Sequence, residues 1–173
     1  MALPPDNAVI ESLPADDFRL AMRRIAATVT ILTTECDGRW GMTATSVCSL
    51  STEPPVLVAC VNRSADAYAP MVRSRRLCIN ALAADQAEVA VRFSGFQGEK
   101  GEQRFEGSSW STHVTGAPVL EGAGATFDCR IAHVMDYGTH AILVCTVVHV
   151  ATRKAVDPLV YLNQTFGSFS PLG

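Results

Sequence analysis

"TVTILTTECDGRWGMTATSVCSL", residues 28 to 50, is the stretch on which the fold turns. Its first half is β-branched and alternates, as a strand does. Cys36-Asp37-Gly38 then supplies a hairpin turn signal, and the second half reads as the returning strand. That second strand has an odd interior. Thr43, Ala44, Thr45 and Ser46 stand where a purely structural strand would carry Val, Ile or Leu. Alternation puts Thr43 and Thr45 on one face, with Ala44 and Ser46 on the other. Two readings follow. The hydroxyls are ordinary cross-strand threonine pairs, or they offer short donors and acceptors to a flat, polar-edged ligand lying close to the backbone.

Upstream, "ADDFRLAMRRIA" (15–26) predicts a helix with Asp16 as N-cap and Phe18, Ala21, Met22 and Ile25 on one face. Residues 1–14 read as a flexible N-terminal arm, and 15–173 as one domain. Downstream, "VLVACVN" (56–62) is a near-continuous apolar run, hence a strand buried on both faces. "RSADAYAPMVRSRR" (63–76) predicts a short helix capped by Ser64, "LCINAL" (77–82) a buried strand, and "AADQAEVAVRF" (83–93) a further helix. A Gly-rich loop with one helical turn covers 94–105. Two long antiparallel strands occupy 116–152, turning at 136–138, and "DPLVYLNQTF" (157–166) gives a last short strand. About seven strands joined mostly by hairpins make an antiparallel, mainly β fold. Closure into a β-barrel with flanking helices is the expected way to remove the sheet edges.

Composition narrows the function. The net charge of -3 and the scattered basic pairs give no footprint for nucleic acid. No apolar run reaches the ~18 residues needed to span a bilayer, and no signal peptide is legible, so a cytoplasmic protein is expected. The six cysteines form no C-x-x-C pair, and most lie in apolar runs, as buried hydrophobes do in a reducing compartment. The four histidines form no metal motif. There is no G-x-G-x-x-G, no P-loop and no G-x-S-x-G elbow.

Three further stretches carry polar residues where a core would not want them. In "CVNRSA" (60–65) a buried strand ends at Asn62-Arg63-Ser64, where a helix is expected to begin. Its free N–H groups, helped by Arg63 or Ser64, could bind phosphate, or Ser64 simply caps the helix. Asn80 is a lone amide in an apolar strand, partnered either by a ligand or by neighbouring backbone. His140 opens the apolar strand "AILVCTVV", where it could reach a ligand or be a satisfied structural histidine. Asp128 is an acid inside a predicted strand.

Together these stretches resemble a known family. "FRLAMRRIAATVTILTT", "GMTATSVCSLSTEPPVLVACVNRSA", "RSRRLCINALAADQ", "VRFSG", "RFEGSSWSTHVTGAPVLEGAGATFDCR", "GTHAILVCTV" and "PLVYLN" occur in the order and spacing of short-chain flavin reductases of two-component monooxygenases. The resemblance spans Phe18 to Tyr161. It implies an FMN-binding split barrel of antiparallel Greek-key type, usually a homodimer. It also implies reduction of FMN or FAD by NADH or NADPH, with reduced flavin diffusing to a partner monooxygenase. Carried over by position, Thr43, Ala44, Thr45 and Ser46 would line the flavin. Cys60, Val61, Asn62, Arg63 and Ser64, with Asn80 and Ala81, would hold more of the ring, ribityl chain and phosphate. Phe93, Ser94 and Gly95 would border it, and His140 would contact the nicotinamide nucleotide. No side-chain nucleophile is required, because the cofactors carry the chemistry. A non-catalytic flavin-binding or storage protein on the same barrel is the alternative.

Overall fold

The computed structural model describes residues 13–172, so most of the expected N-terminal arm lies outside the described residues. Helix α1 (Ala15–Met22) is followed by strands β1 (Ala27–Thr28), β2 (Thr30–Glu35), β3 (Arg39–Ala44), β4 (Val47–Thr52) and β5 (Pro55–Asn62). Helix α2 (Tyr68–Ser74), β6 (Arg76–Ala81) and α3 (Ala87–Phe93) come next. After a 3₁₀ turn at Gly101–Phe105 come β7 (Trp110–Thr112), β8 (Pro118–Leu120), β9 (Ala125–Tyr137), β10 (His140–Thr152), β11 (Leu159–Leu162) and β12 (Thr165–Ser168).

Seven strands form one antiparallel sheet in the order β3-β2-β6-β9-β10-β5-β4. The mainly β, antiparallel reading therefore holds, but the stretch 41–50 is not one strand. It breaks at Thr45-Ser46, and its halves lie at opposite edges of the sheet. Ala44 and Val47 are three residues apart, a reach of at most ~11 Å. The sheet must therefore curl until its two edges meet at this corner. Among the described residues no ladder joins β3 to β4, so hydrogen bonding does not close the curl into the expected barrel.

Alternation along β2 explains the two cores. Leu32 points into a cluster with Ala59, Val61, Met71, Leu77 and Leu143, whereas Ile31 points into another with Leu82, Phe93, Phe105 and Leu120. The second cluster is roofed by α3, and the rings of Phe93, Phe105 and Trp110 meet edge-on or tilted at 4.9–5.5 Å between centroids.

Some local expectations are corrected. Pro14, not Asp16, holds the N-cap of α1, and Asp16 and Asp17 occupy its first turn, where they complement the helix dipole. Among the described residues the apolar face of α1 finds no cover, and Phe18 and Met22, with Ile25 just beyond the helix, are exposed. The last strand is a hairpin, β11–β12, whose turn residues Asn163 and Gln164 both take left-handed φ (48° and 64°). The turn lacks the Asn-Gly signature, so the pattern was easy to miss. Cys78, Cys129 and Cys145 are buried as expected, and burial pushes the Cys145 thiol up to about 12. Cys48 is exposed because β4 is an edge strand, and Cys36 and Cys60 are half-buried. Asp128 is fully buried, and its carboxylate accepts the Thr115 N–H at 2.8 Å and the Thr115 hydroxyl.

Candidate functional site

The break at Thr45-Ser46 sorts the four small residues. Ala44 is packed into the core. The Thr43 hydroxyl donates to the Ala90 carbonyl of α3 at 2.7 Å, tying the strand end to that helix. Thr45 and Ser46 are exposed, and among the described residues their hydroxyls make no hydrogen bond within the chain. Thr43 and Thr45 do share one face. They line a mostly apolar cleft of about 270 Å³ with Ala90, Val91 and Ser94, closed on the far side by Tyr161, Gln164 and Phe166 of the last hairpin. Tyr161 and Phe166 pack together at 5.4 Å between ring centroids. With the Gln164 amide turned so that its oxygen faces the guanidinium, as the Arg23 donors around it require, Arg23 Nε donates to it at 2.7 Å, and the end of α1 braces this wall.

Tyr161, Gln164 and Phe166 were not singled out from the sequence, although "PLVYLN" contains Tyr161. Their hairpin folds back through pairing of β11 with β1, a contact between residues about 130 apart in the chain. Phe93, expected to border a ligand, is instead fully buried between Phe105 and Trp110. Ser94 and Gly95 remain at the surface. Gly95 takes φ +78°, a left-handed turn that redirects the chain after Ser94, which lines the cleft.

A second cleft, about 460 Å³ and more polar, is lined by Asn62, Arg63, Ser64, Tyr68, Gly138 and Thr139. The expected helix start at Ser64 is not there. Helix α2 begins at Tyr68, and the Asn62 side chain takes both the Ser64 N–H and its hydroxyl at 2.9 Å. The backbone N–H groups of Arg63 and Ala65 are bonded too, to the Thr139 and Asn62 carbonyls. The N–H groups of Arg63, Ser64 and Ala65 are therefore not free for an anion, and the positive charge there is the Arg63 guanidinium. That guanidinium lies 3.4 Å from Asp136, whose other carboxylate oxygen accepts the Tyr68 hydroxyl at 3.0 Å. Burial first, and then the Asp136 bond, hold the Tyr68 hydroxyl above its ordinary pKa, so it stays a donor. His140 stands exposed beside this cleft, opposite Asn62 in the β10–β5 ladder, with Nδ1 2.8 Å from the Thr139 hydroxyl.

The two clefts are linked by backbone. The Cys60 N–H donates to the Ser46 carbonyl at 2.9 Å. The chain thus passes from Thr45 in the first cleft to Ser46, across that bond to Cys60, and two residues on to Asn62 in the second. Cys60 is half-buried, whereas the Val61 side chain is wholly in the core. Asn80 also belongs to the core. It has no exposed surface, donates to the Ile31 carbonyl at 3.0 Å and to Thr33 Oγ1 at 3.2 Å, and accepts the Leu120 N–H at 2.8 Å. Neighbouring backbone and the Thr33 hydroxyl, not a ligand, supply its partners. Ala81, next to it, gives its carbonyl to Gly124.

This surface suits a flat ring with a phosphate-bearing tail. Small-molecule pockets run to ~300–1,000 Å³, so the first cleft is sized for a ring system alone and the tail needs the second. Apolar walls with free hydroxyls at one edge match a conjugated ring with polar rim atoms, and Arg63 matches an anion.

The family described as flavin reductase like domain matches residues 22–170. An FMN reductase (NADH) RutF of Stutzerimonas stutzeri is 45% identical over 156 residues, covering 90% of this chain and 88% of that protein. A protein of the same description from Agrobacterium fabrum is 44% identical over 151 residues, covering 87% and 86%. BorF, the flavin reductase component of a bacterial two-component tryptophan halogenase, superposes with a TM-score of 0.84 at 28% identity, covering 92% of this chain and all of that one. Sequence match and superposition converge, and the chain belongs to the flavin reductase-like family.

Proposed function

We propose that the protein oxidises NADH and reduces FMN, which it releases to a partner monooxygenase. Support comes from one observation above all. An apolar cleft lined by Thr45, whose hydroxyl is unbonded among the described residues, is tied by the Ser46–Cys60 backbone bond to the strand that leads to Arg63 in a polar cleft. The relatives named FMN reductase (NADH) support the choice of FMN and NADH over FAD and NADPH.

When bound, flavin accepts a hydride from the nicotinamide ring. The chain's own residues have simpler tasks. Thr45 and Ser46 hydrogen-bond polar rim atoms of the ring. Val91, Tyr161 and Phe166 exclude water from its apolar side, which strengthens those bonds. Arg63 receives the phosphate, with Ser64 beside it. His140, exposed near the second cleft, orients the nicotinamide nucleotide. Short hydroxyls orient the ring without gripping it, as a released product requires. The exposed apolar side chains Phe18 and Met22 of α1, and Ile25 just beyond it, support a homodimer that covers them. The curled sheet, split at Thr45-Ser46, supports the split-barrel reading of the fold.

The direct test mixes the protein with excess FMN and NADH under anaerobic conditions, so that oxygen cannot regenerate a retained flavin, and follows NADH absorbance. Many NADH are expected to be consumed per protein chain. Consumption of a single equivalent would mean that flavin is retained, and none at all would favour a storage protein. Thr45→Val keeps the shape and removes the hydroxyl. It is expected to weaken FMN binding by about 0.5–1.5 kcal/mol, read by fluorescence titration. Equal affinity would remove Thr45 from the site.

A further inference from the structure

Arg63 is the only basic side chain among the described residues lining the second cleft, and it is already engaged by a carboxylate. Its Nη2 lies 3.4 Å from Asp136 Oδ2, and its Nη1 lies 3.5 Å from the Gly138 carbonyl. Asp136 is itself anchored by the Tyr68 hydroxyl at 3.0 Å. The ion pair is about half exposed on both sides (46% and 50%), so it is weak and rearranges at little cost. Any phosphate that reaches Arg63 meets the Asp136 charge as well. The carboxylate shares the donors the phosphate needs and repels its charge.

We propose that Asp136 is a built-in competitor for the Arg63 guanidinium, and that it lowers the affinity for a phosphorylated flavin so that the ligand exchanges instead of being retained. This rests on the reading that Arg63 receives the flavin phosphate. The device costs nothing in the empty protein, because the pair then satisfies itself. It acts on the phosphate alone, so the ring contacts in the first cleft are untouched. Asp136 is a positioning residue here, acting through Arg63. The same ion pair could instead merely hold Arg63 in a productive pose, and the two roles predict opposite signs.

The test compares FMN with riboflavin, which has the same ring and no phosphate, by fluorescence titration of the intact protein. Asp136→Asn keeps the shape and one acceptor oxygen, enough for the Tyr68 hydroxyl, while removing the charge and the oxygen that faces Arg63. It is expected to tighten FMN roughly two- to five-fold and to leave riboflavin unchanged. The gain should disappear in the Arg63→Ala/Asp136→Asn double variant. Weaker or unchanged FMN binding in Asp136→Asn would overturn the proposal, as would equal tightening of riboflavin. Arg63→Ala separates the underlying reading. If it weakens FMN selectively while Asp136→Asn gives no gain, only the competitor role fails. If it leaves FMN affinity intact, the phosphate does not sit at Arg63, and both fail.

Discussion

Replacing Asn80 by alanine is expected to cost the fold about 2–5 kcal/mol and to leave the flavin affinity of the folded protein unchanged. The amide is sealed in the sheet, and its shortest bonds go to the Ile31 carbonyl, Thr33 Oγ1 and the Leu120 N–H. Truncation strands the Leu120 N–H without water or a protein acceptor, and each orphaned buried group costs about 1–3 kcal/mol. Leu120 ends β8, so the bond also pins the small β7–β8 sheet onto β6. Urea unfolding with an unchanged denaturant slope would read the loss as stability. A variant of normal stability with weakened flavin binding would return Asn80 to the ligand surface and contradict its burial.

Gly41→Ala is expected to damage both stability and binding. A Cβ there would lie 2.6 Å from Phe93 Cε1 and 3.0 Å from the Leu32 carbonyl oxygen. The backbone of Gly41 is not left-handed, so the demand is for space, not conformational freedom. Phe93 cannot swing aside easily, because Phe105 and Trp110 hold its ring at 5.0 and 5.5 Å between centroids. Overpacking of this kind costs about 1–3 kcal/mol. Relief requires α3 to move. That helix carries the Ala90 carbonyl that accepts the Thr43 hydroxyl, and Ser94 follows its end, so the first cleft deforms with it. Thermal or urea unfolding and FMN titration should both register the change. Phe93→Leu added to Gly41→Ala should restore part of each by vacating the contested space. Unchanged stability and affinity in Gly41→Ala would show that the strand and helix are not packed as described.

Much of the secondary structure was legible because its causes are local. The Asp37-Gly38 turn, the alternation of β2 and the two long strands around Gly138 all declare themselves within a dozen residues. The family resemblance was legible too, since it rests on the order of short motifs. Asn80 and Phe93 show where such reading stops. A polar residue in an apolar strand announces only that it needs partners, and an aromatic before Ser-Gly only that it is apolar. Neither says which side of the sheet it faces. Val61 lies within "CVNRSA" for the same reason: the motif marks a backbone path, while alternation sends this one side chain into the core.

From the sequence alone came the antiparallel, mainly β character, the hairpins, and the small hydroxyls at 43–46 as the place to look. Tertiary structure decided that β3 and β4 sit at opposite edges of one sheet, that Thr45 and Ser46 are the residues left open at the corner between them, and that Tyr161 and Phe166 arrive to wall the first cleft. The reason is physical. Periodicity and turn chemistry act between neighbours in the chain. The edge a strand occupies is set by pairing with residues far away in sequence, and only that pairing brings Ser46 to Cys60 and ties the chain beside one cleft to the chain beside the other.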